Sequence, residues 1–399
     1  MSLGRILRKK GLTVLGLNSG TSADGLDLAL VRISLSGNKR AIKFLKGGKR
    51  AYGPALRKRL LGVIHSETVA LSELIYLDNR LGQVFGQVSK SFLSNLPPGI
   101  SVDLIASHGQ TVRHLPGGFG GMGKLSSGTM QIGSADFIAA IADRIVINDF
   151  RQADIALGNE GAPITVAAME VLFGSDSESR LIVNIGGISN YFYFPSLGGP
   201  VGAADCGPGN SLCDILSARF HNERYDHGGR RARRGTICEA IVSRAMTGGF
   251  YDSKAISTGR EAFGVSACES ILAMARQRRL SDNDVMATVS ELTVKSIVRK
   301  VVPIVRRDKQ LTKLYLTGGG RHNIFFIDRL RYHLQDLDIL AIDALGIDGD
   351  YVEATAYAVM GEACLRSRAM ATVFRSGRTQ KVRPVLGRIT QPPQRSRPT

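Results

Sequence analysis

The chain has 399 residues, 43% hydrophobic and 22% charged, a globular composition too long for one ordinary core, which predicts two domains. A net charge of +18 fits either nucleic-acid binding or a basic surface around a pocket for anionic ligands; the cations gather at Arg5–Lys10, Arg230–Arg234 and the tail with no aromatic-rich basic element, which argues against nucleic acid. No apolar run reaches membrane-spanning length, and five cysteines without a C-x-x-C predict reduced thiols in a cytoplasm, no zinc site and no membrane partner.

In chain order, Thr13–Asn18 and Leu26–Ile33 read as strands around a turn of small polar residues, with a further turn near Gly37. Apolar residues at helical spacing predict a helix over Leu71–Phe92. Val102–Ala106 reads as a buried strand ending in the polar run SHGQT, Ile132–Ala142 as a helix, and Ile145–Ile147 as a short strand. Pro163 fits the first turn of a helix running to Phe173. Leu181–Ile185, Tyr191–Phe194 and Leu314–Leu316 read as strands, and Glu239–Met246, Asp282–Val305 and Val352–Ser367 as helices. Strand, small-residue turn, strand thus opens each half. That predicts two α/β halves of related architecture with a cleft between them. The expected bounds are 1–178, with 366–389 closing back onto it, 179–365, and a disordered tail over 390–399.

Four segments carry phosphate chemistry: SGTSADG (Ser19–Gly25), NIGGISN (Asn184–Asn190), DCGPGNS (Asp205–Ser211) and LTGGGRHN (Leu316–Asn323). Glycine lets backbone N–H groups approach phosphate oxygens, and Ser and Thr hydroxyls add donors. Asp24 and Asp205 are candidate Mg²⁺ ligands, because that ion takes oxygen donors and keeps several waters. No turn holds the lysine of a Walker A loop and none reads G-x-G-x-x-G. One such turn alone is equally a plain hairpin; four at strand ends favour phosphate.

The segments GLNSGTSADGLD, SHGQTVRH, QIG, NDFRQADIALGNEGAP, NIGGISN, DCGPGNSLCD, STGRE, TGGGRHN and DALGIDGDYVEATAYA run in order from Gly16 to Ala358. In them the chain resembles the anhydro-N-acetylmuramic acid kinase family, within the sugar kinase/Hsp70/actin superfamily. The resemblance implies an α/β fold of two duplicated ribonuclease-H-like (actin-like ATPase) domains closing over ATP and an amino sugar, in a homodimer. It implies conversion of 1,6-anhydro-N-acetylmuramic acid, ATP and water into N-acetylmuramate 6-phosphate and ADP in cell-wall recycling. It assigns Gly20, Thr21, Ser22, Ala23, Asp24, Gly25, Leu26 and Asp27 to the first phosphate loop. NIGGISN, with Asn184, Gly186 and Gly187, is the second, and TGGG, with Gly318, Gly319 and Gly320, the adenosine-side turn; Asp205, Gly207, Gly209, Asn210 and Asn323 are further candidate nucleotide-binding residues. Departures are Asn18 for the usual Met, Cys206 for Thr, Ser134 after QIG, Glu160 within the G-G-Q-G-A-P segment, and the basic insert Arg230–Gly235. Runner-up readings are a related sugar kinase with another acceptor and an actin- or Hsp70-like ATPase.

The chemistry needs a carboxylate to activate water, and phosphoryl transfer is otherwise positioning and charge stabilisation. Asp149, at the end of a strand, is the candidate base, a role the resemblance also gives it; a turn cap or a pair with Arg151 is the alternative, and Asp154 the second candidate. His108, Gln110 and Thr111 are candidate substrate residues, His108 being equally readable as a structural histidine. Glu353 reads either as a sugar contact or as a helix-start acid. Cys206 and Cys213 are expected to pack.

Overall fold

The computed structural model describes residues 3–20, 22–36, 39–115, 127–196, 201–252, 258, 262–370 and 383–394. The chain forms two compact units, Met1–Leu172 with Gly346–Thr399, and Phe173–Leu345. Strands of the first are β1 Gly11–Ser19, β2 Gly25–Ser36, β3 Lys39–Ala51, β4 Leu104–Leu115, β5 Gly128–Ile132, β6 Ile145–Asn148 and β12 Arg388–Thr390. Those of the second are β7 Arg180–Ile185, β8 Ile188–Phe194, β9 Gly202–Pro208, β10 Lys313–Thr317 and β11 Asp338–Ala341.

The first sheet runs β12-β6-β4-β1-β2-β3, with β5 on β4; the second runs β11-β10-β7-β8-β9. In each, three antiparallel strands lead off (β1-β2-β3, β7-β8-β9). Parallel strands then add on the other side of the first (β4 then β6; β10 then β11). The same order and the same directions in both units are the duplicated ribonuclease-H-like α/β pattern. A parallel centre needs cover on both faces, so β1 is buried along nearly its whole length.

Close packing fixes which helix lies where. A Cβ on Gly16 of β1 would fall 1.9 Å from the Ala354 carbonyl oxygen, and one on Gly361 2.6 Å from the Ala106 Cβ. Only glycine lets helix Val352–Leu365 lie this close to β1 and β4. That helix therefore belongs to the first unit, whereas the sequence reading grouped it with the second. In the second unit, Ser281 and Asp284 close a capping box at the start of helix Asp282–Arg307, which is buried along most of its length.

Several local expectations differ from the structure. The strand expected to end at Ala106 continues through SHGQTVRH, because β1 pairs with Ser107 and Gln110 and β5 pairs from Gln110 to Leu115. The Ala162–Pro163 bond is cis and the following helix starts at Val166, so Pro163 is not in its first turn. Thr390, placed in the tail, ends β12 opposite Val146. Strand β3 was not expected. The turn near Gly37 and the last five residues of the tail lie outside the described residues. Among the described residues no helix is long and apolar enough to cross a membrane.

Candidate active site

In the first unit β1, β4 and β6 run parallel, so the turn after β1, the middle of β4 and the residue after β6 meet at one edge of the sheet. The turn Gly20–Asp24 is held from beneath. Ser19 Oγ lies 2.6 Å from Gln110 Oε1 and 2.6 Å from the Tyr52 hydroxyl. Gln110 Oε1 can only accept, so the Ser19 proton goes to it and Tyr52 donates. Gln110 Nε2 then donates to the Gly20 carbonyl oxygen at 3.2 Å and to that of Thr111 at 3.1 Å. Gln110 is fully buried, so its amide supports the loop. Thr111 Oγ1 accepts from Gln131 Nε2 at 3.1 Å. Thr21 lies outside the described residues.

Within the turn, Ser22 Oγ donates to Asp24 Oδ1 at 2.8 Å, and Ala23 has a left-handed backbone with φ 47°. Asp27 sits opposite Asn18 in the β1–β2 ladder and lies 3.4 Å from Lys49 Nζ. Burial, then the nearby Asp24 and Glu353 charges, push its carboxyl up to about 6 against the pull of Lys49. Glu353, in the first turn of its helix, accepts from Asn18 Nδ2 at 2.7 Å.

Asp149 follows β6 with φ 55°, a left-handed conformation that Asp tolerates better than most residues. Its Oδ2 pairs with Arg388 Nε at 2.9 Å. Among the described residues no hydrogen bond reaches Oδ1. Arg151, the partner considered from sequence, turns elsewhere: Nε donates to His108 Nε2 at 3.1 Å and Nη1 to the Gly161 carbonyl oxygen at 2.7 Å. His108 is buried and stacks on Tyr357 with centroids 4.5 Å apart. Burial, then the Arg151 charge, hold its imidazole well below the usual range, so it stays neutral and accepts at Nε2. Asp154 is buried, with Oδ1 on Asn159 Nδ2 at 2.9 Å and Oδ2 on the Gly161 N–H at 2.9 Å. Both its oxygens hold the loop, which favours Asp149 of the two acids.

In the second unit, three glycine turns meet at the ends of β7, β9 and β10. The Asn210 N–H donates to the Gly186 carbonyl oxygen at 2.7 Å, the Gly209 N–H to that of Gly187 at 2.9 Å, and Asn210 Nδ2 to that of Ile185 at 3.0 Å. A Cβ on Gly209 would meet the Gly186 oxygen at 2.2 Å, and one on Gly318 (φ 75°) the Asn184 Oδ1 at 2.3 Å. These two glycines are required by turn-to-turn packing. Gly187 differs, because a Cβ there meets nothing within 4 Å. Gly20, in the first unit, is nearly as open, with only Ser22 Oγ at 3.9 Å. Asp205 Oδ2 accepts from the Thr258 N–H at 2.7 Å. Asn323 caps helix Ile324–His333 by accepting from the Phe326 N–H. Of STGRE, only Thr258 is among the described residues.

Burial raises the Cys206 thiol and pushes that of Cys213 up to about 12, so both stay neutral and pack. The basic insert is a built turn: Asp226 accepts from the Arg231 and Ala232 N–H groups, and Glu223 pairs with Arg230 and Arg231. Sequence reasoning missed Tyr52, Arg388 and Tyr357. Their roles come from long-range contacts, and only the Leu-Gly pair before Arg388 hints at a tightly seated strand.

A family model for anhydro-N-acetylmuramic acid kinase matches residues 12–391. The anhydro-N-acetylmuramic acid kinase of Trichormus variabilis is 36% identical over 355 residues, covering 87% of this chain and 89% of that protein. Its counterpart from Aliivibrio fischeri is 35% identical over 347 residues, covering 86% and 90%. That from Caldanaerobacter subterraneus is 31% identical over 363 residues, covering 89% and 91%. The chain belongs to the anhydro-N-acetylmuramic acid kinase family.

Proposed function

We propose that the protein is an ATP-dependent kinase that opens 1,6-anhydro-N-acetylmuramic acid with water and phosphorylates O6. The products are N-acetylmuramate 6-phosphate and ADP, and the role is cytoplasmic recycling of cell-wall amino sugar. Family membership supports the activity. The single observation that carries the chemistry is Asp149: its carboxylate stands past the end of β6 with Oδ2 ion-paired and Oδ1 taking no hydrogen bond among the described residues.

In this reading Asp149 Oδ1 takes a proton from water as the water oxygen bonds to C1. The C1–O6 bond breaks with its electron pair on O6, and O6 receives the γ-phosphoryl group as ADP leaves. No separate acid is needed, because the phosphoryl group captures the oxygen. The neutral His108 holds Arg151, which in turn holds the Gly161 carbonyl oxygen, and Glu353 with Asn18 offers polar contacts for the sugar.

The ATP phosphates fit the glycine turns: Gly20 and Gly187 have open space where a side chain would otherwise stand, with N–H groups to donate. Asp24 and Asp205 are the carboxylates assigned to Mg²⁺. Among the described residues no three His, Cys, Asp or Glu side chains group to hold a metal by themselves. When bound, Mg²⁺ neutralises charge on the β- and γ-phosphates.

The test is ADP release by purified protein with Mg-ATP, with and without 1,6-anhydro-N-acetylmuramic acid. Sugar-dependent ADP and a phosphorylated sugar are expected. Turnover only with a different sugar would move the acceptor assignment, and sugar-independent hydrolysis at comparable rate would favour a conformational ATPase.

A further inference from the structure

We infer that Arg388, at the start of the last strand, is a positioning residue for Asp149. It holds Oδ2 and so presents Oδ1 to the attacking water. The inference rests on the reading of Asp149 as the base and adds a residue from a part of the chain remote in sequence.

The arrangement is built rather than incidental. Strand β12 pairs antiparallel with β6, with Arg388 opposite Asn148, Ile389 opposite Ile147 and Thr390 opposite Val146. The residue before it, Gly387, has φ 116°, and a Cβ there would stand 2.9 Å from Ile147 Cγ2 and 3.2 Å from both Cys364 Sγ and the Phe150 ring. Leu386 is buried beneath. Leu386 and Gly387 thus lock β12 against β6 and against Phe150, the residue next to Asp149. From that seat Nε reaches Asp149 Oδ2 at 2.9 Å.

Folding gives little reason for the pair. The Arg388 side chain is 73% exposed, and an exposed ion pair contributes about 0–1 kcal/mol. The cation nearer in sequence, Arg151, is committed to His108 and Gly161. Untethered, the Asp149 carboxylate rotates about its last bond and offers either oxygen. A misplacement of about 1 Å at a reacting group costs up to ~100-fold in rate. The guanidinium therefore acts on catalysis through orientation.

The experiment measures kcat and KM of the full chain for Arg388→Ala, Arg388→Lys, Asp149→Asn and the double variant Asp149→Asn/Arg388→Ala. Arg388→Ala is expected to lose about 10- to 100-fold in kcat. KM for ATP should stay within about 2-fold and Tm within about 2 °C. Arg388→Lys should recover a large part of kcat, and the double variant should be no slower than Asp149→Asn. Wild-type kcat in Arg388→Ala, with Asp149→Asn inactive, overturns the positioning role and leaves Asp149 as base. A further loss in the double variant also overturns it, since Arg388 would then act elsewhere. Wild-type turnover in Asp149→Asn removes the base reading itself, and the positioning role with it.

Discussion

Asn18, at the end of β1, donates from Nδ2 to Glu353 Oε2 at 2.7 Å across 335 positions of sequence. Both are set by one packing event. Gly16 lets the helix that carries Glu353 lie against β1, and Asn18 is two residues further along the same strand. Asn18 departs from the residue the family pattern leads one to expect, and its bond to Glu353 gives that departure a physical role. Asn18→Met removes the donor, and water can take its place on Glu353, which is exposed. It should lower stability in urea unfolding by about 0.5–1.5 kcal/mol. Glu353→Gln keeps an oxygen acceptor and should cost less. Equal stabilities for Asn18→Met and wild type would contradict the account.

Asp27 makes the pH dependence testable. Its folded carboxyl stands at about 6 against an ordinary 3.8. A raised carboxyl means the native state binds more protons than the unfolded chain, so this group's stabilisation is present below about 4 and is lost as pH rises to about 6. Asp27→Asn should abolish that slope and raise stability above pH 6 relative to wild type. Chemical denaturation from pH 4 to 8 reads it. A wild-type carboxyl titrating near 4 by carbon NMR would contradict it.

His108 is expected to stay neutral across the working range. Burial and Arg151 both depress its imidazole, so its stabilisation is present above the unfolded value and fades as pH falls below about 6.5. Nitrogen NMR should show one protonated ring nitrogen at pH 6. An imidazolium there would break the assigned Arg151-to-Nε2 bond and contradict this reading.

The glycines separate packing from ligand approach. Gly209→Ala pushes a methyl against the Gly186 carbonyl and should impair folding. Gly187→Ala meets nothing in the protein, so Tm should hold while KM for ATP rises about 10-fold or more. Unchanged ATP affinity in folded Gly187→Ala would remove that turn from the nucleotide site.

Strands β1, β7 and β10 were legible because each is an apolar run ending in small residues, and the doubled strand–turn–strand pattern predicted the duplication that the two sheet orders show. The run after Ala106 was not legible. Its polar residues look like a loop, and pairing with β1 at Ser107 and Gln110 and with β5, itself made of mixed residues, makes it strand. Strand β3, KRAIKFLKGGKRA, is charged and glycine-broken because it is an edge strand with an exposed row of side chains. Gln110 was singled out as a substrate residue, yet its amide is spent on Ser19 and Gly20, partners that sequence order cannot reveal. Asp149 was found, whereas Arg388 was not: a strand of three residues gives no periodicity to read.

The most direct test of the account is turnover of Asp149→Asn with Mg-ATP and 1,6-anhydro-N-acetylmuramic acid, measured beside its ATP affinity by calorimetry. The account predicts a loss of sugar phosphate formation of about 10²- to 10⁴-fold, with ATP affinity within about 2-fold of wild type. Sugar phosphorylation in Asp149→Asn at a rate near wild type would contradict it.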